Sequence, residues 1–223
     1  MMLQRRIFYI ADMHFGHKNI LKYDKRPFAD TGQMDEEIIR RWNERVGGDD
    51  TVYVLGDAFF KGEERSIEIM QRLNGHKRLI RGNHDRNNGK LLRLWESVSE
   101  YEEIKDGEHL VVLSHYPMLF YNHQHDGAVM LYGHVHNTRE WELVEKWQQE
   151  LWQMDIPARL INVGCMMDYM DYAPRTLDEL LAPATISQQN QIRKYDHDNR
   201  ILQRGKRSAV FTGRFLRRAE TPL

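Results

Sequence analysis

An α/β fold with two sheets is what this sequence predicts, on three observations. Five short apolar runs, each long enough for a strand, end on a histidine, an aspartate or both. Helical apolar spacing separates the first three of them, the β-α-β-α-β order of a right-handed, partly parallel sheet. In the second half the Asp106-Gly107 dipeptide is a hairpin signal, which brings in antiparallel strands and with them a second sheet.

The first run, Ile7 to Ala11, leads into Asp12-Met13-His14. Asp12 and His14 are two apart, so at an extended strand end they point to the same side and can grip one ion. His17 follows in Phe15-Gly16-His17-Lys18-Asn19; it either faces a substrate or is a surface histidine near a helix start. From Gln33 to Val46, Met34, Ile38, Ile39 and Trp42 mark an amphipathic helix, which Gly47-Gly48 ends. Thr51 to Leu55 is the second strand and runs into Gly56-Asp57. A helix over Glu63–Leu73 places Ile67, Met70 and Leu73 on one face, and Asn74-Gly75 returns the chain to the strand Leu79-Ile80. That strand stops at Gly82, where the backbone can turn sharply or approach a ligand closely. Asn83, His84 and Asp85 then offer an amide oxygen, an imidazole and a carboxylate in succession.

A helix through Leu91, Leu92, Leu94 and Trp95 follows, and Glu102–Lys105 and His109–Ser114 flank the hairpin turn, the latter ending on His115. Ala128 to Tyr132 runs into Gly133-His134-Val135-His136. Trp141, Val144, Trp147, Leu151 and Trp152 stand in near-helical register; such a stripe packs on a core, with a lid over the site or a homodimer contact as alternatives. Arg159–Val163 is a further strand, and Thr176 caps a short helix to Leu181 with Glu179 at the capping-box position.

The balance of 41% hydrophobic and 29% charged residues with a net charge of −1 excludes a disordered chain and a wholesale nucleic-acid or membrane surface. There is no internal repeat and no transmembrane run. The single Cys165 cannot form an internal disulfide and the first residues lack a signal-peptide stretch, so the expected compartment is the cytoplasm. Residues 1–183 form one domain. Residues 184–223, with nine Lys and Arg against three Asp and Glu where the preceding chain has 23 against 30, form a basic appendage expected to pack on it. Recruitment of nucleic acid by that charge is the less favoured reading.

Carboxylate and amide oxygens with several neutral imidazoles suit divalent ions such as Mn²⁺, Fe²⁺, Zn²⁺, Co²⁺ or Ni²⁺, manganese first among them. Asp12, His14, Asp57, Asn83, His115, His134 and His136 are seven side chains, too many for one open catalytic ion and suited to two ions sharing a carboxylate. Two such ions are a common device for phosphoester hydrolysis, because together they acidify a water and neutralise phosphate oxygens.

Asp12-x-His14, Gly56-Asp57, Gly82-Asn83-His84-Asp85, His115 and Gly133-His134-Val135-His136 occur in this order and resemble the calcineurin-like metallophosphoesterase superfamily. The opening from Asp12 to Ile20 is similar to its small single-domain bacterial and phage members. The resemblance implies a four-layer α/β/β/α sandwich with two mixed sheets. It implies that Asp12, His14, Asp57 and His136 hold one metal, that Asp57, Asn83, His115 and His134 hold a second, that His84 is the general acid or a phosphate contact, and that Asp85 orients its imidazole. It also implies a small phosphomonoester or phosphodiester substrate, nucleotide-like or a metabolite. Two other readings are a nuclease acting on nucleic-acid ends and a metal-binding scaffold that has lost catalysis, the intact His84 speaking against the latter. Ala58-Phe59-Phe60 departs from the family's usual small polar residue after Gly-Asp and predicts a more apolar pocket wall.

Overall fold

The computed structural model describes residues 5–60, 62–85 and 89–182. In chain order its elements are β1 (Ile7–Ile10), α1 (Ile20–Tyr23), α2 (Thr31–Arg45), β2 (Thr51–Val54), α3 (Glu63–Arg72), β3 (His76–Ile80), α4 (Gly89–Leu92) and β4 (Ser97–Ser99). There follow β5 (Tyr101–Asp106), β6 (His109–Ser114), β7 (Val129–Tyr132), α5 (Arg139–Gln153), β8 (Leu160–Asn162) and α6 (Leu177–Leu181).

The strands form two four-stranded sheets, β1-β2-β3-β4 and β5-β6-β7-β8. In the first, β1, β2, β3 and β4 pair in parallel throughout, so this sheet is mixed only through the antiparallel bridge of Tyr9 to Arg175. The second is mixed within its strands: the β5–β6 hairpin is antiparallel, whereas β6, β7 and β8 are parallel. Gly107 makes the hairpin turn at φ +58°, a conformation that glycine adopts without the clash a Cβ would bring.

Side-chain alternation shows how the layers stack. Val111, Leu113, Val129, Leu131 and Ile161 share one cluster with the first sheet and with Met34, Ile38 and Trp42 of α2 and Ile69 and Met70 of α3. Their neighbours Val112, Met130, Tyr132 and Leu160 point the other way and pack with Val144 and Leu151 of α5. One core therefore runs from α2 and α3 through the first sheet to the inner face of the second, and a smaller core lies beneath α5, a four-layer α/β/β/α order.

Local signals set the helix ends. Asp30 caps α2 by accepting from the Gln33 N–H at 2.8 Å, and Thr176 and Glu179 complete the expected capping box on α6. Val144, Gln148 and Leu151 of α5 are buried with Trp141 and Trp152 packed beside them, as the core-packing reading of that stripe requires, whereas Trp147 of the same stripe is exposed. No described helix is long and apolar enough to cross a membrane. The basic segment 184–223, and its expected packing on the body, lie outside the described residues.

Candidate metal centre

The carboxyl ends of β1, β2, β3, β6 and β7 meet at one place, as a parallel arrangement requires. Asp12, His14, Asp57 and His115 are buried there, His134 and His136 are half-buried, and Asn83 and His84 are exposed at the lip. Three glycines allow the loops to approach this closely. A Cβ on Gly82 would stand 2.3 Å from Asp57 Oδ1, one on Gly133 2.6 Å from Asp12 Oδ2, and one on Gly56 2.3 Å from His115 Nδ1.

Five of the seven candidate ligands have left-handed backbones: Asp12 (φ 57°), His14 (52°), Asp57 (54°), His134 (68°) and His136 (50°). Each such residue costs on the order of 1–3 kcal/mol and persists only where its surroundings enforce it. The enforcement is visible. Arg26, fully buried, donates at 2.8 Å to the carbonyls of both Asp12 and Met13. The Asp12 carboxylate in turn accepts from the His134 N–H at 3.0 Å. Asp85 accepts from the N–H groups of Asp57 (2.7 Å), Ala58 (3.2 Å) and Gly82 (2.8 Å), tying the β2 loop to the β3 loop.

The donor atoms face one another. His14 Nε2 is 3.2 Å from His136 Nε2 and 3.7 Å from Asp57 Oδ2; His115 Nε2 is 3.7 Å from that same Asp57 oxygen and 3.1 Å from Asn83 Oδ1. His134 Nδ1 is 2.9 Å from Asn83 Oδ1, and His136 Nε2 is 3.8 Å from Asp12 Oδ1. Two groups, Asp12–His14–His136 and Asp12–Asp57–His115, each bring three ligand atoms within 4.8 Å of one another.

Whether a cation fits is decided by where the protons are. His115 Nδ1 is 2.8 Å from the Leu55 carbonyl and must donate to it, so Nε2 turns a bare lone pair toward the Asn83 oxygen. His136 Nδ1 is spent likewise on Asp24 Oδ1 at 2.7 Å. Lone pairs confronting one another at these separations repel unless a positive charge lies among them, and ligands roughly 2.0–2.2 Å from a common ion stand about this far apart. The buried Nδ1 of His14 has no hydrogen-bond partner.

The electrostatics agree. Burial pushes the Asp12 carboxyl up to about 7, with His136 opposing and Asp57 adding to the rise. Burial lowers His14, His115 and His134, keeping their imidazoles neutral and available as ligands. Burial also lowers His136, but its bond to Asp24 and the charges of Asp12 and Asp24 outweigh that, and its net shift is upward.

A family model for the calcineurin-like phosphoesterase superfamily domain matches residues 6–178. The chain belongs to that superfamily. This calcineurin-like phosphoesterase is 36% identical to an uncharacterized protein of Methanocaldococcus jannaschii, over 60% of this chain and 72% of that one. It is 29% identical to the gene 66 protein of Mycobacterium phage L5, over 58% and 76% respectively. A protein of unknown function from Aquifex aeolicus superposes with a TM-score of 0.62 over 79% of this chain and 97% of the other, at 23% identity, a likeness of fold. The family and the donor set together make the protein a metal-dependent phosphoric ester hydrolase that uses divalent metal ions.

One sequence expectation is corrected. Asp85 does not orient the His84 imidazole: both its oxygens are occupied by the three backbone N–H groups, and it organises the loops instead. His84 is tied through its backbone, its N–H donating to Asp57 Oδ1 at 2.8 Å, while its ring stands edge-on to His14 at 5.5 Å. His17 lies at the rim, its ring stacked on Phe60.

Sequence reasoning missed Asp24 and Arg26. They form a fully buried ion pair at 2.8 Å that joins His136 to the Asp12 loop. In Tyr23-Asp24-Lys25-Arg26-Pro27 nothing distinguishes them from a solvated charge run; only the proline, which restricts the residue before it, hints at a fixed turn.

Proposed function

We propose that this calcineurin-like phosphoesterase hydrolyses a small phosphomonoester or phosphodiester, nucleotide-like or a metabolite, in a reducing cytoplasm, with two divalent transition-metal ions, manganese foremost. Asp12, His14, Asp57 and His136 would hold the first ion and Asp57, Asn83, His115 and His134 the second. The observation that carries the pair is the position of Asp57 Oδ2, 3.7 Å from His14 Nε2 on one side and 3.7 Å from His115 Nε2 on the other, where one carboxylate can serve both.

Bound there, two ions would supply the acidification of a water and the neutralisation of the phosphate oxygens. The chain's own residues do the rest. Asp24 and the Leu55 carbonyl hold His136 and His115 in the tautomers that direct Nε2 inward. Asp85 and Arg26 keep the strained loops in register. His84, exposed beside His14 and anchored by its backbone alone, supports a role as general acid: as water oxygen bonds to phosphorus and the ester P–O bond breaks, the His84 ring delivers a proton to the departing oxygen.

The test is elemental analysis of purified protein after chelation and reloading with Mn²⁺. Wild type is expected to hold close to two ions and Asp57→Asn to weaken both, because a shared ligand cannot be lost from one site alone. One ion lost while the other stays at full affinity would overturn the bridging assignment.

A further inference from the structure

Resting on the phosphoesterase reading above, we propose that a shelf made by Phe60 and His17 seats a nucleobase beside the phosphate, so that the substrate carries a flat, uncharged ring next to the group that is cleaved.

The segment after Asp57 is zipped against the His14 loop: Phe15 N–H donates to the Ala58 carbonyl at 3.0 Å and Phe60 N–H to the Phe15 carbonyl at 3.0 Å. Along this strand-like stretch the side chains alternate. Phe59 turns inward, stacks on Phe15 and meets Trp95 edge-on in the core. Phe60 turns outward and is left 38% exposed beside the candidate metal centre, its ring 5.5 Å from that of His84. Burial does not account for an apolar ring held there by backbone bonds.

One side of that ring is already covered. His17 stacks on it with centroids 3.6 Å apart and planes 15° from parallel, and Tyr23, 69% exposed, stands edge-on to His17. Phe60 also borders a cleft. Phe59, Leu79, Leu91, Leu92 and Trp95 line this cleft with apolar surface, and Ser66, His84 and Asp85 are the polar side chains of its lining. A site whose lining combines a flat exposed ring, aliphatic and aromatic side chains and an imidazole suits a planar group attached to a phosphate. Stacking on an aromatic ring accepts any base, since every base has a π face.

Two compounds that differ only in the base test this: adenosine 5′-monophosphate and ribose 5-phosphate, each as a competitor of methyl p-nitrophenyl phosphate hydrolysis by Mn²⁺-loaded enzyme. The wild type is expected to bind the nucleotide roughly 5- to 100-fold more tightly, the usual yield of one stacked base. Phe60→Ala and Phe60→Leu should bring the ratio close to one, the leucine showing that flatness rather than apolar bulk is needed, and Phe60→Trp should preserve it. A wild-type ratio near one, or a ratio that survives Phe60→Ala, overturns the shelf while leaving the hydrolase reading standing. Absence of turnover on the chromogenic ester with any divalent ion would sink the hydrolase reading instead, and calorimetric titration of the same two compounds would still decide the shelf. A single-stranded oligonucleotide distinguishes the source of the base: tighter binding than the mononucleotide that is lost with Phe60→Ala puts a nucleic-acid end on the shelf, and binding no tighter puts a free nucleotide there.

Discussion

The floor of the metal centre and its lip are built on opposite principles. The floor, Asp12, His14, Asp57 and His115, is buried, and three of its four residues are left-handed. Arg26, Asp24 and Asp85 hold it in place or hold the ligands beside it. At the lip, His84 and the Phe60 ring are exposed and are held mainly by backbone bonds. The floor spends stability to hold charge and lone pairs against one another, a cost that only a cation offsets. The lip keeps side chains in water, where they can meet a substrate. Metal affinity should therefore respond to residues far from the substrate, and turnover to residues that hold no metal.

Replacing His84 tests that division with the largest expected effect. His84→Ala should retain both ions and slow turnover by roughly 10²–10⁴-fold, the usual share of acid–base catalysis. The loss should be far greater for an alkyl or ribose leaving group, which needs a proton as it departs, than for p-nitrophenolate, which leaves nearly unaided. Parallel kinetics and elemental analysis read both quantities: equal losses on the two leaving groups would make His84 a phosphate contact, and loss of metal would move it from lip to floor.

Asp24→Asn makes the complementary change. The carboxamide nearly preserves shape but weakens the 2.7 Å bond that fixes the His136 tautomer, and removes half of a buried ion pair. Changes of this kind behind a ligating histidine typically cost 10–100-fold in metal affinity. Mn²⁺ titration should show that loss, with the KM of metal-saturated enzyme little altered. An affinity within twofold of wild type would mean that Asp24 supports the fold alone.

How far each region could be foreseen follows the same line. The strand ends were legible because buried parallel strands are near-continuous apolar runs and each stops at a polar residue that cannot enter the core. The hairpin at Gly107 and the Thr176–Glu179 box were legible because local hydrogen bonding decides them. Ser97–Ser99 was not, since three half-exposed residues carry no periodicity and become the edge strand β4 only by pairing with β3. The buried Asp24–Arg26 pair and the true partners of Asp85 were hidden for a related reason. A charged side chain enters the interior only when contacts distant in sequence satisfy it, and here Arg26 finds the Asp12 carbonyl and Asp85 finds the Asp57 N–H. The left-handed backbones of Asp12 and Asp57 are likewise imposed by the assembled site.

The smallest expected effect is a pH dependence that belongs to the floor alone. Asp12 titrates near 7 in the folded protein against 3.8 as its ordinary value, so between those pH values the folded chain holds a proton that the unfolded chain has released. Without a cation the fold therefore loses stability as pH rises through this window, by on the order of 4 kcal/mol once Asp12 ionises. His14 acts in the opposite sense: burial depresses its pKa, and the fold loses stability as pH falls below the ordinary histidine value of 6.5. A metal ion must displace the Asp12 proton, and below the raised pKa of His136 a second one, whereas His14 is already neutral and releases none. Mn²⁺ affinity should accordingly rise about tenfold or more per pH unit up to pH 7 and less steeply above it, once Asp12 has ionised. Titrations from pH 5.5 to 8.5 would trace that bend; a flat profile would show that Asp12 is ionised in the metal-free fold, and that the floor stores much less unfavourable charge than its burial requires.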